Sequence, residues 1–588
     1  MRMLHLPGKL EKHILYYDKL PEAEYDPQGI PYGIQPDFER PYLDTKGNER
    51  CIMLYRPSTI EPMLLARSLF VLSDETEEGT GRLLVESGLM ELAEREKAFV
   101  ILPLASTAGW NVNEDPDKPD DVDIINHALA AAGDWYLFPG RESCLGFMMG
   151  MVAVGDGASM AQIAMARHPE HVNSLLTFGG RVTAQQMPAV SEDAEMFVWM
   201  VNQEGDGYRF WCKADGLEDA PEIVRGDTVI RCCETNRAKQ IRMTNTGRQG
   251  LDGGILLRFW EEAFRGNVRI PGIGNGKVFN FEEMIERHRP CIHIDDRSLG
   301  DNGGIPHHWY EFIPESVQRR WNEEGLRSPL IVEMHGGGCW PKTSVAKAQL
   351  QELGEREGFI TVYANASVGN SWNSVFRPER ANDVEYITAL VEYLKRVYPV
   401  DPSRVYVSGF SNGSGMAQVM AGIRPDLFAG LIAFNTRYKV EDIMYQKARI
   451  SKEKYDYRMP VFYNYGTKDA EYPMMEGCGQ FTQMQFWKWF NNIEPRKLLP
   501  EDPSGVGTPG DEILEWGEFG PGGKTVFTTH KYRSLDDGNI NYYNYTMVED
   551  LPHTVERRLI EKAWAFVSQF SRMPDGSLRF EEREDNIL

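Results

Sequence analysis

Residues 404–421 read RVYVSGFSNGSGMAQVMA, a run in which the pattern of a strand gives way abruptly to that of a helix. RVYVS is rich in β-branched and aromatic residues and predicts a buried strand, whereas GMAQVMA places apolar residues at helical spacing. Between them, residues 409–413 form a Gly-x-Ser-x-Gly pentapeptide with Ser411 at its centre. A serine at such a strand-to-helix turn is expected to be strained and exposed above the sheet.

Strand-like and helix-like runs alternate on both sides of this turn. Five runs are apolar, branched or aromatic and predict buried strands: 328–336, 359–365, 403–410, 431–435 and 459–466. Two intervening segments, 381–399 and 415–429, carry apolar residues at helical spacing. This alternation predicts an α/β fold in which a mostly parallel sheet has helices on both faces.

The chain also contains an internal repeat, visible as similar segments in the same order. The matched pairs are ELAEREKAF (91–99) with ELGEREGF (352–359), Trp-Asn at 110–111 with 372–373, Asp-Val at 121–122 with 383–384, and residues 151–178 with 407–434. Periodicity is lost between 285 and 305, where Gly, Asp and Pro accumulate. The sequence therefore predicts a duplicated α/β domain, with one copy at 1–290 and the other at 291–588.

The composition narrows the class of protein. The 588 residues are 42% hydrophobic and 11% aromatic, which is enough to fill globular cores. A net charge of −24 disfavours binding to nucleic acid or to an anionic membrane surface. The sequence has no apolar run long enough to span a bilayer, no signal-peptide pattern at residues 1–20, and eight cysteines without a CxxC pair. These features predict a reduced, soluble, cytoplasmic protein.

A serine hydroxyl needs a general base to become a nucleophile near neutral pH. In strand–turn–helix sites of this kind the acid and then the histidine follow the serine along the chain. Only His530 and His553 lie beyond Ser411. His553 precedes the last predicted helix in a loop that could return to the strand ends, whereas the alternation around His530 indicates a position within the sheet. We therefore expect His553 to be the base.

The acid that orients this base is predicted from its place after a strand. Asp469 lies in YGTKD, just beyond the buried strand at 459–466, and is the preferred candidate. Glu471 and Asp550 are the alternatives. Their carboxylates could serve the same purpose if the loops bring them to the histidine.

Serine attack on a carbonyl creates an oxyanion, which needs N–H donors already in place. Residues His335, Gly336, Gly337 and Gly338 follow a predicted strand, and such a glycine-rich loop exposes its amides. We expect one donor from this loop and a second from the amide of Asn412, with His335 bracing the loop rather than acting as a base.

At this point the second half resembles a known group of proteins. HGGGC at 335–339, VDPSRVYVSGFSNG at 400–413, GTKD at 466–469 and LPH at 551–553 are similar to α/β-hydrolase serine esterases of the poly(3-hydroxybutyrate)-depolymerase-like and feruloyl-esterase-like group. The likeness covers roughly 305–570. It implies two tandem α/β-hydrolase-like domains and carboxylic ester hydrolysis through an acyl-enzyme, with Ser411, Asp469 and His553 as the triad and with neither metal nor organic cofactor.

Two parts of the sequence depart from that resemblance. A long segment at about 470–545 separates the acid from the histidine, and we expect it to be an insertion that remodels the substrate pocket. In the first half, Gly155 aligns with the nucleophile, residues 74–77 (Asp-Glu-Thr-Glu) with the glycine loop, and Gln249 or a neighbour with the histidine. We therefore expect the first half to be catalytically inactive.

Several weaker motifs are expected to be structural. Residues 272–277 and 522–525 resemble phosphate loops but lack their strand–loop–helix setting, and the histidine pairs at 168/171 and 307/308 lack a third ligand. The expected partner is a small-molecule ester, either small or aromatic and of the hydroxycinnamoyl type. No nucleic acid or membrane is expected, and homo-oligomerisation stays open. The alternative functions are a peptidase or amidase, an acyltransferase, and a ligand-binding pseudo-hydrolase.

Overall fold

The computed structural model describes most of the chain: residues 6–15, 41–44, 46–60, 65–133, 143–187, 194–274, 276–295, 299, 306–367, 370–436, 440, 442–469, 474–494, 508–520, 523–538 and 540–583. The chain divides into two compact units, which part between Glu283 and Met284. Each unit is built around a ten-stranded sheet.

The strands of the first sheet are, in chain order, Lys9–Ile14, Cys51–Arg56, Leu65–Leu72, Phe99–Pro103, Ser143–Val154, Val172–Phe178, Phe197–Val201, Ile223–Arg225, Thr228–Cys233 and Asn236–Thr244. Those of the second are Cys291–Asp295, His307–Phe312, Ser328–Met334, Ile360–Ala364, Val400–Phe410, Gly430–Phe434, Val461–Gly466, Glu512–Gly520, Gly523–Arg533 and Asn541–Val548. Within the described residues, three further pairs are two-stranded: Arg181–Val182 with Glu204–Gly205, Asn267–Ile270 with Lys277–Asn280, and Phe570–Arg572 with Leu578–Phe580.

The two large sheets have one topology. Counted along the chain within each sheet, the strands lie side by side in the order 1-2-4-3-5-6-7-10-9-8 in both. The central strands of each pair in parallel, and antiparallel strands flank them on both sides. The predicted fold class, with two mostly parallel sheets flanked by helices, is confirmed.

Helices connect the parallel strands. In the first unit they are Glu77–Glu86, Leu89–Glu96, Asp121–Gly133, Asp156–Arg167, Gly207–Ala214 and Gly253–Phe259, the last continuing as a π-helix over Trp260–Phe264. Helix Phe281–His288 spans the residues at which the units part. In the second unit they are Glu315–Glu324, Pro341–Ala348, Leu350–Glu357, Asp383–Val397, Asn412–Ile423, Asp442–Tyr455, Gly479–Phe490 and Arg557–Val567.

The core of the second unit follows from the apolar spacing in its sequence. Helix Asp383–Val397 buries Tyr386, Leu390 and Leu394, residues spaced four apart on one face. Helix Asn412–Ile423 ends two residues before Pro425, earlier than its apolar pattern suggests, because the backbone before a proline disfavours helical geometry. The observed ends therefore reflect proline as well as periodicity.

The segment expected to be an insertion proves to be part of the repeated architecture. In the second unit, helix Gly479–Phe490 and the hairpin of Glu512–Gly520 with Gly523–Arg533 lead into a strand that pairs in parallel with Val461–Gly466. In the first unit, helix Gly207–Ala214 and a shorter hairpin lead in the same way to a strand beside Phe197–Val201. Both units therefore share this segment, with hairpins of different length, and its role as an insertion over 470–545 relative to the esterase group stays a prediction. The parts at 470–473, 495–507 and 521–522 lie outside the described residues.

No helix in the described part of the chain combines the length and apolarity needed to cross a membrane.

One strand of the second sheet carries an unfavourably buried acid. Glu333, in strand Ser328–Met334, is buried, and this burial raises the pKa of its carboxyl to about 8, an effect that the nearby Ser408 hydroxyl offsets only in part. The folded state therefore holds a proton that the unfolded chain releases above its own pKa near 4.5. Stability is full below that value and declines as pH rises toward 8.

We predict that Glu333→Gln stabilises the protein by ~3 kcal/mol at pH 7, because glutamine is neutral in both states. This gain in the free energy of unfolding should vanish at pH 4. The measurement is the difference in urea unfolding midpoint between the variant and the wild type at each pH. Glu311→Gln is the matched control, since the buried Glu311 accepts hydrogen bonds from Trp309 and Tyr398 and should lose stability instead. A gain for Glu333→Gln that does not depend on pH would contradict the prediction.

Candidate active site

Ser411 lies at a strained turn between strand Val400–Phe410 and helix Asn412–Ile423. Its backbone has φ +53° and ψ −122°, a conformation that residues with a side chain rarely adopt. Glycines on both sides make the turn possible: a Cβ at position 409 would lie 2.4 Å from the Gly413 oxygen, and one at position 413 only 2.1 Å from the Met334 oxygen. The turn predicted from the pentapeptide is therefore present, and it projects the serine at the carboxyl edge of the sheet.

The structure brings Ser411, His553 and Asp469 together in one hydrogen-bonded chain. The Ser411 Oγ lies 2.9 Å from His553 Nε2, and His553 Nδ1 lies 2.7 Å from Asp469 Oδ2. The imidazole is 37% exposed, whereas the Asp469 carboxylate is only 2% exposed. A buried carboxylate on one ring nitrogen fixes the tautomer that leaves the other nitrogen facing the serine as an acceptor.

Each member of this chain follows a different strand. Asp469 comes three residues after strand Val461–Gly466, and its amide donates to the Gly466 oxygen at 3.1 Å. His553 lies between strand Asn541–Val548 and the last long helix. The ring of Phe410 packs against the imidazole, with 4.9 Å between centroids. Parallel strands place these loops at one edge, which is where ligands bind in open α/β sheets.

The alternative residues lie elsewhere or outside the described part. His530 is buried within strand Gly523–Arg533, where its Nδ1 accepts from the Gly510 amide at 3.1 Å. Asp550 is exposed and forms an ion pair with Lys468 at 3.1 Å. Glu471 falls outside the described residues. Of the candidates that the structure describes, Asp469 and His553 are the ones in contact with each other.

Main-chain hydrogen bonds hold the glycine loop that follows strand Ser328–Met334. The amide of Gly338 donates to the Asn370 oxygen at 2.8 Å, and that of Cys339 donates to the Gly336 oxygen at 3.1 Å. Within the described chain, the amide of the exposed Gly337 has no such acceptor. A Cβ at Gly337 would lie 3.5 Å from that of Asn412, so the loop predicted to supply one oxyanion donor neighbours Asn412, the predicted second donor.

His335 supports this loop as a neutral ring. Its Nδ1 lies 2.7 Å from the Gly336 oxygen, and its Nε2 accepts from the Ala366 amide at 3.0 Å. Burial lowers the pKa of His335 to about 4, so the ring stays uncharged near neutral pH. The indole of Trp372 donates to the His335 oxygen at 2.9 Å and completes the brace.

Asn412 holds a further loop against the site. Its Oδ1 accepts from the amide of Trp372 at 2.7 Å and from the Ser371 hydroxyl at 3.4 Å. The side chain therefore supports the neighbouring loop, while its Cβ lies 3.5 Å from where a Cβ at Gly337 would be. The oxyanion role of the Asn412 amide stays a prediction, and the role of its side chain was missed, because the pentapeptide contains no signal for it.

The first unit has the same turn without the same chemistry. Gly155 has φ +66° and ψ −134°, and its amide donates to the Phe178 oxygen at 3.1 Å, as that of Ser411 donates to Phe434 at 3.0 Å. Here the carboxylate of Asp74 accepts from the Asp156 amide at 3.1 Å, and a Cβ at position 155 would lie 2.1 Å from its Oδ2. An acidic side chain thus occupies the space in which a serine side chain would begin.

The structure also corrects which residues of the first unit align with the glycine loop of the second. Trp110 donates to the Ser73 oxygen at 2.9 Å, as Trp372 donates to that of His335. Ser73 is therefore the counterpart of His335, one residue before the alignment that began at Asp74. Gln249, aligned with the histidine, is exposed.

No cluster of metal-binding side chains is present among the described residues. His168 contacts Glu170 at 3.2 Å, and His307 stacks on Tyr386 with 3.6 Å between ring centroids.

Comparison with known proteins finds similarity to one peptidase family model and to several esterases. Residues 346–475 match the family model described as the prolyl oligopeptidase family. The poly(3-hydroxyalkanoate) depolymerase C of Paucimonas lemoignei is 35% identical over 18% of this chain and 26% of its own length. Feruloyl esterase B of Neurospora crassa is 28% identical over 21% of this chain and 42% of its own length. The probable acetylxylan esterase A of Aspergillus flavus is 32% identical over 27% of this chain and 50% of its own length.

The chain thus matches between about a quarter and half of the length of these curated relatives. Among solved structures, the acetyl xylan esterase from Aspergillus awamori is 16% identical, with a TM-score of 0.35, over 47% of this chain and 99% of that one. The predicted resemblance to poly(3-hydroxybutyrate)-depolymerase-like and feruloyl-esterase-like proteins is confirmed by the curated relatives.

We predict that Gly413→Ala destabilises the second unit by ~3 kcal/mol or more, because the added Cβ meets backbone carbonyls that cannot move aside. Gly337→Ala is the control, since its Cβ meets Asn412 at an ordinary contact distance and the fold should persist. The measurement is the thermal unfolding midpoint of both variants. Equal midpoints for Gly413→Ala and Gly337→Ala would contradict the steric argument.

Proposed function

From the α/β-hydrolase fold of the second unit, we propose that this chain is a serine-dependent carboxylic ester hydrolase. Ser411 is the nucleophile, His553 the general base and Asp469 the acid that orients it. The observation that carries the proposal is the pair of contacts at 2.9 Å and 2.7 Å that link the three side chains. Relatives that are named as esterases favour an ester as the substrate.

In the acylation step, Ser411 Oγ attacks the carbonyl carbon of the ester while its proton passes to His553 Nε2. The carbonyl π electrons move onto the oxygen, which the amides of Gly337 and Asn412 stabilise. Collapse of this intermediate breaks the carbon–oxygen bond to the alcohol, and the imidazolium returns the proton to the leaving oxygen. The Asp469 carboxylate stabilises the imidazolium throughout.

Deacylation repeats the sequence with water as the nucleophile. His553 takes a proton from water, the resulting hydroxide attacks the acyl carbon, and the second tetrahedral intermediate expels Ser411, which recovers its proton from the imidazolium. The free acid leaves. The residues present supply each proton transfer that this scheme needs.

For the substrate we propose a small or aromatic ester of the hydroxycinnamoyl type. This rests on relatives named feruloyl esterase and acetylxylan esterase. The match to the prolyl oligopeptidase family over 346–475 favours a peptidase as the second candidate, because the same triad can cleave an amide if the leaving amine is protonated. An acyltransferase would differ in that an alcohol outcompetes water at the acyl-enzyme.

For the first unit we propose a catalytically inactive domain, with 1–290 and 291–588 as the two domains. Glycine at position 155 and the carboxylate of Asp74 at the neighbouring amide support this role. We also propose a reducing, cytoplasmic setting, which the thiols of six described cysteines support: Cys51, Cys212, Cys232, Cys233, Cys339 and Cys478.

We predict that a fluorophosphonate adds once per chain, at Ser411, and that Ser411→Ala abolishes both the adduct and ester hydrolysis. The measurement is intact mass together with release of product from an aryl acetate, a methyl hydroxycinnamate and an aryl amide. Ser414→Ala is the matched control, because Ser414 lies three residues away and is buried in the helix. No adduct on a folded wild type would favour a ligand-binding pseudo-hydrolase, and faster cleavage of the amide would favour the peptidase.

We predict that Gly155→Ser creates no second reactive serine. In a Ser411→Ala background this variant should take up no fluorophosphonate, because the new side chain meets Asp74 and no imidazole is supplied. Adding Asp74→Gly removes the clash and should still leave the site unreactive. An adduct on the peptide that contains position 155 would refute the inactive role of the first unit.

A further inference from the structure

The loop that carries His553 makes few contacts through the histidine side chain itself. Its imidazole meets Ser411, Asp469 and the Phe410 ring, and it is more than one-third exposed. Contacts of this kind do not fix the height of the loop above the sheet. The main chain on either side of the histidine must therefore be held by other groups.

One buried amide holds the main chain on both sides of the histidine. The Asn435 Nδ2 donates to the Pro552 oxygen at 3.1 Å and to the Thr554 oxygen at 2.6 Å. Asn435 is fully buried, and its Oδ1 accepts from Asn464 Nδ2 at 3.1 Å, which orients the amide so that its nitrogen faces the loop. Buried hydrogen bonds of this type rigidify the groups that they join.

Asn435 also follows directly on the residue that holds the serine. The Phe434 oxygen accepts from the Ser411 amide at 3.0 Å, and the next residue supplies the amide that holds the His553 loop. A single dipeptide at the end of strand Gly430–Phe434 thereby fixes both sides of the 2.9 Å contact between serine and histidine.

The backbone of Asn435 indicates that its side chain is kept for a purpose. Its φ is +37°, in the left-handed region that favours glycine. The counterpart in the first unit is Gly179, with φ +72°, whose amide donates to Val201 at 2.8 Å as that of Asn435 donates to Asn464 at 3.1 Å. The fold therefore accepts glycine here, and the unit that lacks the histidine has it.

We propose that Asn435 is a positioning residue for the ester hydrolysis, which holds His553 at hydrogen-bond distance from Ser411 through the two carbonyls beside the histidine. This inference rests on the proposed function. Because the amide acts on the base and not on the substrate, its loss lowers the rate of the chemical steps and leaves substrate binding almost unchanged. A displacement of about 1 Å in such a group can cost as much as 100-fold in rate.

The test uses the full chain with two substitutions at one position. Asn435→Gly removes the amide and suits the left-handed backbone, so the fold should persist. Asn435→Asp keeps the acceptor for Asn464 and replaces only the donor. Each should lower kcat for an aryl acetate at least about 10-fold with KM changed less than about twofold, and should slow fluorophosphonate labelling in proportion.

Asn491→Asp is the matched control. Asn491 is also fully buried in the second unit, and its side-chain amide likewise pairs with main chain. Its Nδ2 donates to the Met459 oxygen at 2.8 Å, and its Oδ1 accepts from the Met459 backbone amide at 2.7 Å. This variant should lose stability and keep kcat per folded molecule.

The outcomes separate the two proposals. The positioning role is overturned if Asn435→Gly keeps the wild-type kcat, if its effect is confined to KM, or if Asn491→Asp loses as much kcat. In each of these cases, hydrolysis by the wild type still upholds the proposed function. A wild type that neither hydrolyses the ester nor takes the label overturns both.

Discussion

The close approach of helix Asn412–Ile423 to the end of strand Ser328–Met334 is the constraint on which the site depends. At Gly413 the backbones leave no room for a side chain, since a Cβ would lie 2.1 Å from the Met334 oxygen. The chain enters the helix at this distance through a turn in which Ser411 has a positive φ. Packing of a helix on a sheet thus determines where the hydroxyl points.

Register then determines what the hydroxyl meets. Phe410 pairs with Phe434, Phe434 with Asn464, and Asn464 with Thr546, so four parallel strands end at nearly one level. The loops that follow them supply the serine, the Asn435 amide, the aspartate and the histidine. A one-residue slip in any pairing would reverse the faces of that strand and separate these groups. The hydrogen-bonded chain is therefore a consequence of sheet register as much as of the residues that form it.

The sequence predicted those features that depend on local pattern. Alternation of strands and helices, the turn at Ser411 and the order of acid and histidine all come from short stretches. Asp469 and His553, which that order selected, lie 2.7 Å apart. The end of helix Asn412–Ile423 was predicted less well, because Pro425 ends the helix before its apolar pattern does. The hairpin of Glu512–Gly520 with Gly523–Arg533 was not predicted at all. Asn435 was missed entirely. Its role depends on contacts with residues 117 and 119 positions away, for which a single sequence has no periodic signal.

The first unit separates what the fold requires from what the chemistry requires. Gly155 keeps the positive φ and the hydrogen bond to the neighbouring strand, although glycine stands there in place of the serine. The turn is therefore a property of the α/β packing, and glycine adopts it at little cost. In the second unit, serine and asparagine stand at two left-handed positions at which the first unit has Gly155 and Gly179. Side chains at such positions cost stability. Their presence together in the unit that has the histidine, and their absence together in the unit that lacks it, indicates that this cost is offset by the arrangement of one reactive site.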